Sequence, residues 1–210
     1  GYDASAWSAS CSERAGKDLL ARMPELWRRM QSMESSARQR MRAVIGSIIE
    51  GQIFDIERFG AGSLPLSAEE RARYTYLVAG SAGEYLTDLC AARTGNFSSD
   101  ALPAMRRRAR RYGEALQLVN IVRDRRMDSA LGRIYLPEDE VGGAVEAARE
   151  GLAQGGEYCV AVRSARLRYA FLLPVLLGFR TLALSESLPE GSLAPCKVPR
   201  REVRRWMLRA

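Results

Sequence analysis

The chain has 210 residues, enough for one domain with a substantial core and cramped for two. Its 47% hydrophobic and 27% charged residues are those of a soluble globular protein, and a formal charge of +7 favours an anionic partner, whether phosphate, membrane surface or nucleic acid. Histidine is absent, which excludes a mixed cysteine–histidine zinc site and any Ser-His or Cys-His dyad, so chemistry must rest on carboxylates, tyrosine, arginine, lysine or a metal.

In chain order, Gly1 to Ala15 is small, polar and weakly patterned, and is expected to be loose. From Lys17, the spacing of Leu20, Met23, Trp27 and Met30 predicts a helix kinked early at Pro24. Ser35 and Ser36 are candidate caps for a second helix that turns Met41, Val44, Ile45, Ile48, Ile49 and Ile53 toward a core. GAGSLPLS, Gly60 to Ser67, is a turn, and Ser67 with Glu70 fits a capping box opening a helix through Tyr74, Leu77, Val78, Tyr85 and Leu89. After a break at TGNFSSD, a long helix is predicted from Leu102 to Asp128, with Met105, Ala109, Tyr112, Leu116, Val119 and Val122 inside.

IYLPEDEVGG leads into a short helix, and another follows from near Gly156 through the apolar segment Tyr169 to Ser185. That segment is short for a membrane span and interrupted by Pro174, Gly178 and Arg180, so a buried, kinked helix is expected. PEGSLAPCKVP reads as a linker and RREVRRWMLRA as a basic amphipathic helix. No alternating strand pattern is present. The expectation is an all-α, single-domain helical bundle over residues 1–210. Cys11, Cys90, Cys159 and Cys196 are too widely spaced for an all-cysteine metal site, and reduced thiols in a cytoplasmic protein are expected.

The chemistry-bearing stretch is NIVRDRRMDSALGRIYLP, Asn120 to Pro137. On a helix Asn120, Asp124 and Asp128 share one face, with Gln117 at its edge. Such a row of oxygens suits Mg²⁺ shared with substrate phosphates, and Arg123, Arg125, Arg126 and Arg133 are candidate phosphate ligands. On spacing alone, a solvated charged face is the better account.

The surroundings alter that balance. GEALQLVNIVRDRRMDSALGRIYLPEDE resembles the second signature of squalene and phytoene synthases, and YTYLVAGSAGEYLTDLC resembles their first tyrosine-rich signature. GQIFDIE is similar to the family's G-x-x-x-D segment, and RLRYAFLLPVLLGFRTLAL to its late apolar helix. The resemblance implies the isoprenoid synthase fold and a head-to-head prenyltransferase joining two farnesyl or geranylgeranyl diphosphates through a cyclopropyl intermediate. Mg²⁺ would assist departure of pyrophosphate, and NADPH would enter only if the product is squalene.

It further implies Asp124 and Asp128 as the second aspartate motif, with Asn120 a metal ligand beside them and Gln117 lining the cavity. Arg123 would contact diphosphate or hold an aspartate, and Arg133 would follow in the loop. Tyr74 would accept a proton or stabilise a cation, and Val78 and Gly80 would let prenyl chains approach the helix. Outside that context Tyr74 is as well read as a packed tyrosine with its hydroxyl satisfied. Asp55 is equally well read as a residue behind the site or as an exposed helix carboxylate.

The family's first aspartate-rich motif is not found between Gly1 and Met30. The chain is therefore expected to be N-terminally incomplete against that pattern, the other reading being a non-catalytic homologue that binds isoprenoid or assembles with a partner. The arginine runs Arg106 to Gly113 and Arg200 to Trp206 lack interleaved aromatics, so no nucleic-acid partner is expected. The terminal basic helix leaves peripheral membrane contact open, and a monomer or homodimer is expected.

Overall fold

The computed structural model describes residues 14–60, 62, 64–187, 189 and 196–209. Most of the expected loose N-terminus, Cys11 and most of the linker lie outside them. The chain divides into two compact units between Ala43 and Val44.

In the first unit, α1 (Arg14–Gln31) contains Pro24 and exposes Leu19, Leu26 and Trp27. The guanidinium of Arg42 lies over the Trp27 ring at 5.5 Å. The next helix, α2 (Ser35–Gly60), is capped by Glu34 rather than by the expected serines. The Glu34 carboxylate accepts from the Ser36 amide at 2.9 Å and the Ser36 hydroxyl at 2.6 Å. Those bonds hold its pKa below the usual glutamate value, and negative charge is favourable at a helix N-terminus.

The second unit contains the rest of α2, whose inward side there carries Val44, Gly51 and Asp55. Ile45, Ile49, Ile53 and Ile56 are exposed on the opposite side, which corrects the expectation that the isoleucines face a core. Ser67 caps α3 (Ala68–Thr75) with the predicted capping box, and Glu70 is also held by Arg58 at 2.9 Å. The helix then changes pitch through a π-helical turn, Tyr76–Gly80, before α4 (Ser81–Thr94). The single helix expected there is thus three consecutive pieces.

The long central helix is α5 (Leu102–Ala130), on which the π-turn, α4, α6 (Val141–Ala161) and α7 (Ala165–Glu186) all pack. Its inner side buries Met105, Ala109, Tyr112, Val119 and Val122 as predicted, against Ala148, Leu152, Tyr158 and Leu182. Tyr158 is fully buried and shares a 3.0 Å hydroxyl contact with Thr87, which satisfies both groups.

The helix after IYLPEDEVGG is long, not short: α6 runs through Gly155 and Gly156 without a break. Its glycines are contact points. A Cβ on Gly151 would lie 2.5 Å from the Cβ of Ala115, and one on Gly155 2.6 Å from the Tyr112 ring. By length and composition α7 could cross a membrane, yet Val175, Gly178, Thr181, Leu182 and Ser185 face inward. Only 22% of its most apolar window is buried, so the expected buried helix is buried on one face. The closing helix is α8 (Arg200–Arg209), tied to α7 by Arg180–Glu202 at 2.9 Å. The described residues contain no strand, only an isolated bridge between Ser98 and Val162.

Candidate functional site

Gly132 sets up the site. At the end of α5 it adopts φ 79°, a left-handed conformation suited to glycine, and the Arg133 amide bonds the Asp128 carbonyl at 2.8 Å. The chain therefore reverses at once, bringing Arg133 and Tyr135 against Asp55 of α2. The Tyr135 hydroxyl donates to Asp55 Oδ1, and Arg133 Nη1 lies 3.6 Å from Asp55 Oδ2. Asp55 is buried, so it is not an exposed helix carboxylate.

Tyr74 packs on the Tyr135 ring at 5.3 Å between centroids and on Phe54 at 6.2 Å. Burial raises its pKa first, and the carboxylates of Asp55 and Asp128 add to the rise, while the Tyr135 hydroxyl and Arg133 oppose it. Tyr74 is accordingly a neutral phenol at physiological pH. Burial, then the bond to Asp55, likewise pushes Tyr135 far above an ordinary tyrosine.

Asn120, Asp124 and Asp128 lie along α5 as the spacing requires, all half-buried. Asn120 donates to Gln117 Oε1 at 3.3 Å. Arg123 grips Asp124 through both carboxylate oxygens, one bond from Nε measuring 2.8 Å. Burial raises the Asp128 pKa, and the neighbouring Asp124 and Asp55 charges raise it further against Arg133 and Arg123. Asp128 is thus the meeting point of the ladder and the Asp55–Tyr135–Tyr74 group.

Arg125 and Arg126 make bonds elsewhere along the chain. Arg125 bonds the Val122 carbonyl at 2.9 Å and the Ser185 hydroxyl at 3.3 Å, and Arg126 bonds the Pro189 carbonyl at 2.7 Å. These bonds fasten α5 to Ser185 at the end of α7 and to Pro189 beyond it.

An apolar cavity of ≈ 280 Å³ lies along the part of α5 that precedes the ladder, walled by Val78, Ala82, Leu116, Tyr158, Phe171 and Pro174 among others. Its α5 wall, Ala109 to Leu116, is followed one turn later on the same side by Asn120. Val78 lines it. Gly80 does not: it packs against Glu114 and Tyr76, where an added Cβ would lie 3.0 Å from Glu114 Cγ. Gly83 and Gly113 instead set the wall. A Cβ on Gly83 would stand 2.2 Å from the Ala109 carbonyl oxygen, and one on Gly113 2.5 Å from that of Ala79.

Sequence reasoning gave no role to Tyr135, although it sits in the quoted GRIYLP segment; its contact with Asp55 spans 80 positions. Among the described residues, no three cysteine or carboxylate side chains converge as a metal site. The donor set does suit a hard cation: two carboxylates and an amide on one face, with the Asp128 pKa raised first by burial and then by adjacent negative charge that a cation would offset.

Solved structures show the same fold. Two ligand complexes of TcSQS align at 18% identity: one with a TM-score of 0.77 over 98% of this chain and 66% of theirs, the other with 0.69 over 96% and 65%. A dehydrosqualene synthase in complex with ligand aligns with a TM-score of 0.56 at 18% identity, over 80% of this chain and 66% of that one. The chain thus spans about two thirds of the length of each. No curated protein matches the sequence. The squalene/phytoene synthase family pattern matches residues 3–156, which takes in the tyrosine-rich turn, the aspartate ladder and most of α6. This chain belongs to the squalene/phytoene synthase family.

Proposed function

We propose that the chain supplies the second aspartate motif and part of the prenyl cavity of a Mg²⁺-dependent head-to-head prenyltransferase acting on farnesyl or geranylgeranyl diphosphate. The observation that carries this reading is the continuity along α5 of an apolar cavity wall and an aspartate ladder. From Leu116 to Asp128 the helix rises about 18 Å, so one face presents an oily half and an ionic half to a ligand built the same way.

Asn120, Asp124 and Asp128 would hold the cation. Mg²⁺, when bound, supplies charge neutralisation to a departing diphosphate. Arg123 fixes the orientation of Asp124, and Arg133 adds positive charge next to Asp55 at the same end. Tyr74, being neutral, offers its hydroxyl lone pair and ring face to a developing carbocation or its proton. The cavity hydroxyls are already committed, Tyr112 to the Phe171 carbonyl at 2.8 Å and Tyr158 to Thr87, so the walls offer a carbocation few free nucleophiles. NADPH belongs to this reading only if squalene is the product.

The test is pyrophosphate release from farnesyl diphosphate with Mg²⁺ by the wild type, Asp124→Asn and Asp128→Asn. Each variant is expected to lose about 100-fold or more in rate, since each removes charge from the leaving-group site. Turnover at the wild-type level in Asp124→Asn overturns the proposal. A second reading, a non-catalytic isoprenoid binder, is favoured by the clasp of Arg123 on Asp124. Farnesyl binding in the cavity with no pyrophosphate release by the wild type would select it.

A further inference from the structure

The outer face of α8 carries Arg200, Arg201, Arg204 and Arg205, all exposed. None has a hydrogen-bond or ion-pair partner among the described residues. On a helix these four positions fall in one arc, and the opposite side holds half-buried Glu202, Val203 and Trp206. Glu202 reaches Arg180 of α7, which fixes α8 with its arginines outward. A cleft of ≈ 520 Å³ is lined, among the described residues, by Arg201, Glu202, Arg205 and Trp206. Two guanidiniums one turn apart beside an indole make a recess for a phosphate with an apolar neighbour. Leu176, one turn before Arg180 on the same side of α7, is 40% exposed.

We propose that α8 is a docking face for an anionic bilayer, Arg201 and Arg205 taking lipid headgroup phosphates and Arg200 and Arg204 adding long-range attraction. The inner face of α8 is turned toward Arg180 of α7, so this contact is electrostatic adsorption rather than insertion. A single-stranded nucleic acid would share the phosphate chemistry. It would also call for several aromatic stacking platforms in succession, and Trp206 is the one aromatic among the described residues of the cleft. Bilayer capture goes beyond the catalytic reading and does not depend on it.

The test is co-sedimentation of the full chain with phosphatidylcholine vesicles, alone or with about a third phosphatidylglycerol, at low and high salt. Wild type is expected to sediment only with the anionic vesicles and to be released by salt. Arg201→Gln/Arg205→Gln is expected to weaken partitioning about tenfold or more. Arg201→Lys/Arg205→Lys, which keeps the charge, should stay within about threefold of wild type. Arg107→Gln/Arg111→Gln removes equal charge from exposed α5 positions and should leave binding intact. Equal loss in both Gln pairs, undiminished binding of Arg201→Gln/Arg205→Gln, or equal binding to pure phosphatidylcholine overturns the proposal. So does a short single-stranded RNA that displaces the vesicles and loses affinity in Arg201→Gln/Arg205→Gln.

Discussion

Tyr135 and Asp55 bear directly on one another. The hydroxyl of Tyr135 is the described neutral donor to a buried carboxylate, and Arg133 at 3.6 Å is a looser, half-exposed partner. Removing the hydroxyl strands a buried acceptor, so Tyr135→Phe is expected to cost about 1–3 kcal/mol in urea unfolding. It should also change Tyr74, whose hydroxyl and ring both lean on Tyr135. Tyr112→Phe is the comparison, since it loses a bond to the Phe171 carbonyl without exposing a charge. Its expected cost is about 1 kcal/mol.

Among the elements, α6 shows what a glycine means in two adjacent positions. Gly155 touches the Tyr112 ring, whereas Gly156 has nothing within 4 Å of an added Cβ. Gly156→Ala should stabilise by about 0.5–1 kcal/mol through helix propensity, and Gly155→Ala should destabilise by about 1–3 kcal/mol through overpacking. Thermal unfolding of the two variants side by side reads the difference in sign. The same glycines explain why the sequence misled. Local propensity reads Gly155-Gly156 as a break; the close approach of α5 explains why the helix keeps Gly155, and nothing in the structure explains Gly156.

The capping box at Ser67 and the α5 pattern were legible because their partners lie within a few residues. The isoleucines of α2 were not, since periodicity announces an apolar face without saying which side has a neighbour. The aspartate ladder was legible as spacing, while its link to Asp55 needed the reversal at Gly132. Tyr135 was quoted yet unread, because a side chain's partner 80 positions away leaves no local trace.

For the whole molecule, acid sensitivity follows from carboxylates held by arginine. Glu70 is lowered first by the Arg58 hydrogen bond and then by the Ser67 amide, and Asp100 first by Arg108. A depressed folded-state pKa contributes stability above the ordinary carboxylate range, and that contribution disappears as pH falls through the lowered value. Melting temperature should therefore decline on acidification below about pH 4, and Glu70→Gln should show a shallower decline there. A Glu70→Gln profile parallel to wild type would remove Glu70 from that account. Cys159 adds a second readout. Burial pushes its thiol up to about 11, so disulfide-exchange labelling at neutral pH should await unfolding.

The π-helical turn at Tyr76–Gly80 has a consequence in phase. Five residues wound more slowly than an α-helix set everything after Gly80 back by about a quarter turn, the angular share of one residue. Tyr74 before the turn faces Tyr135, while Gly83 after it meets Ala109, and a uniform helix would point those two positions in nearly opposite directions. The segment is therefore a length gauge. Deleting Ala79 alone would remove the extra residue together with the setback it causes, so the helix would run on unbroken with Gly83 still on the α5 backbone, and a one-residue deletion should be tolerated better here than within α5.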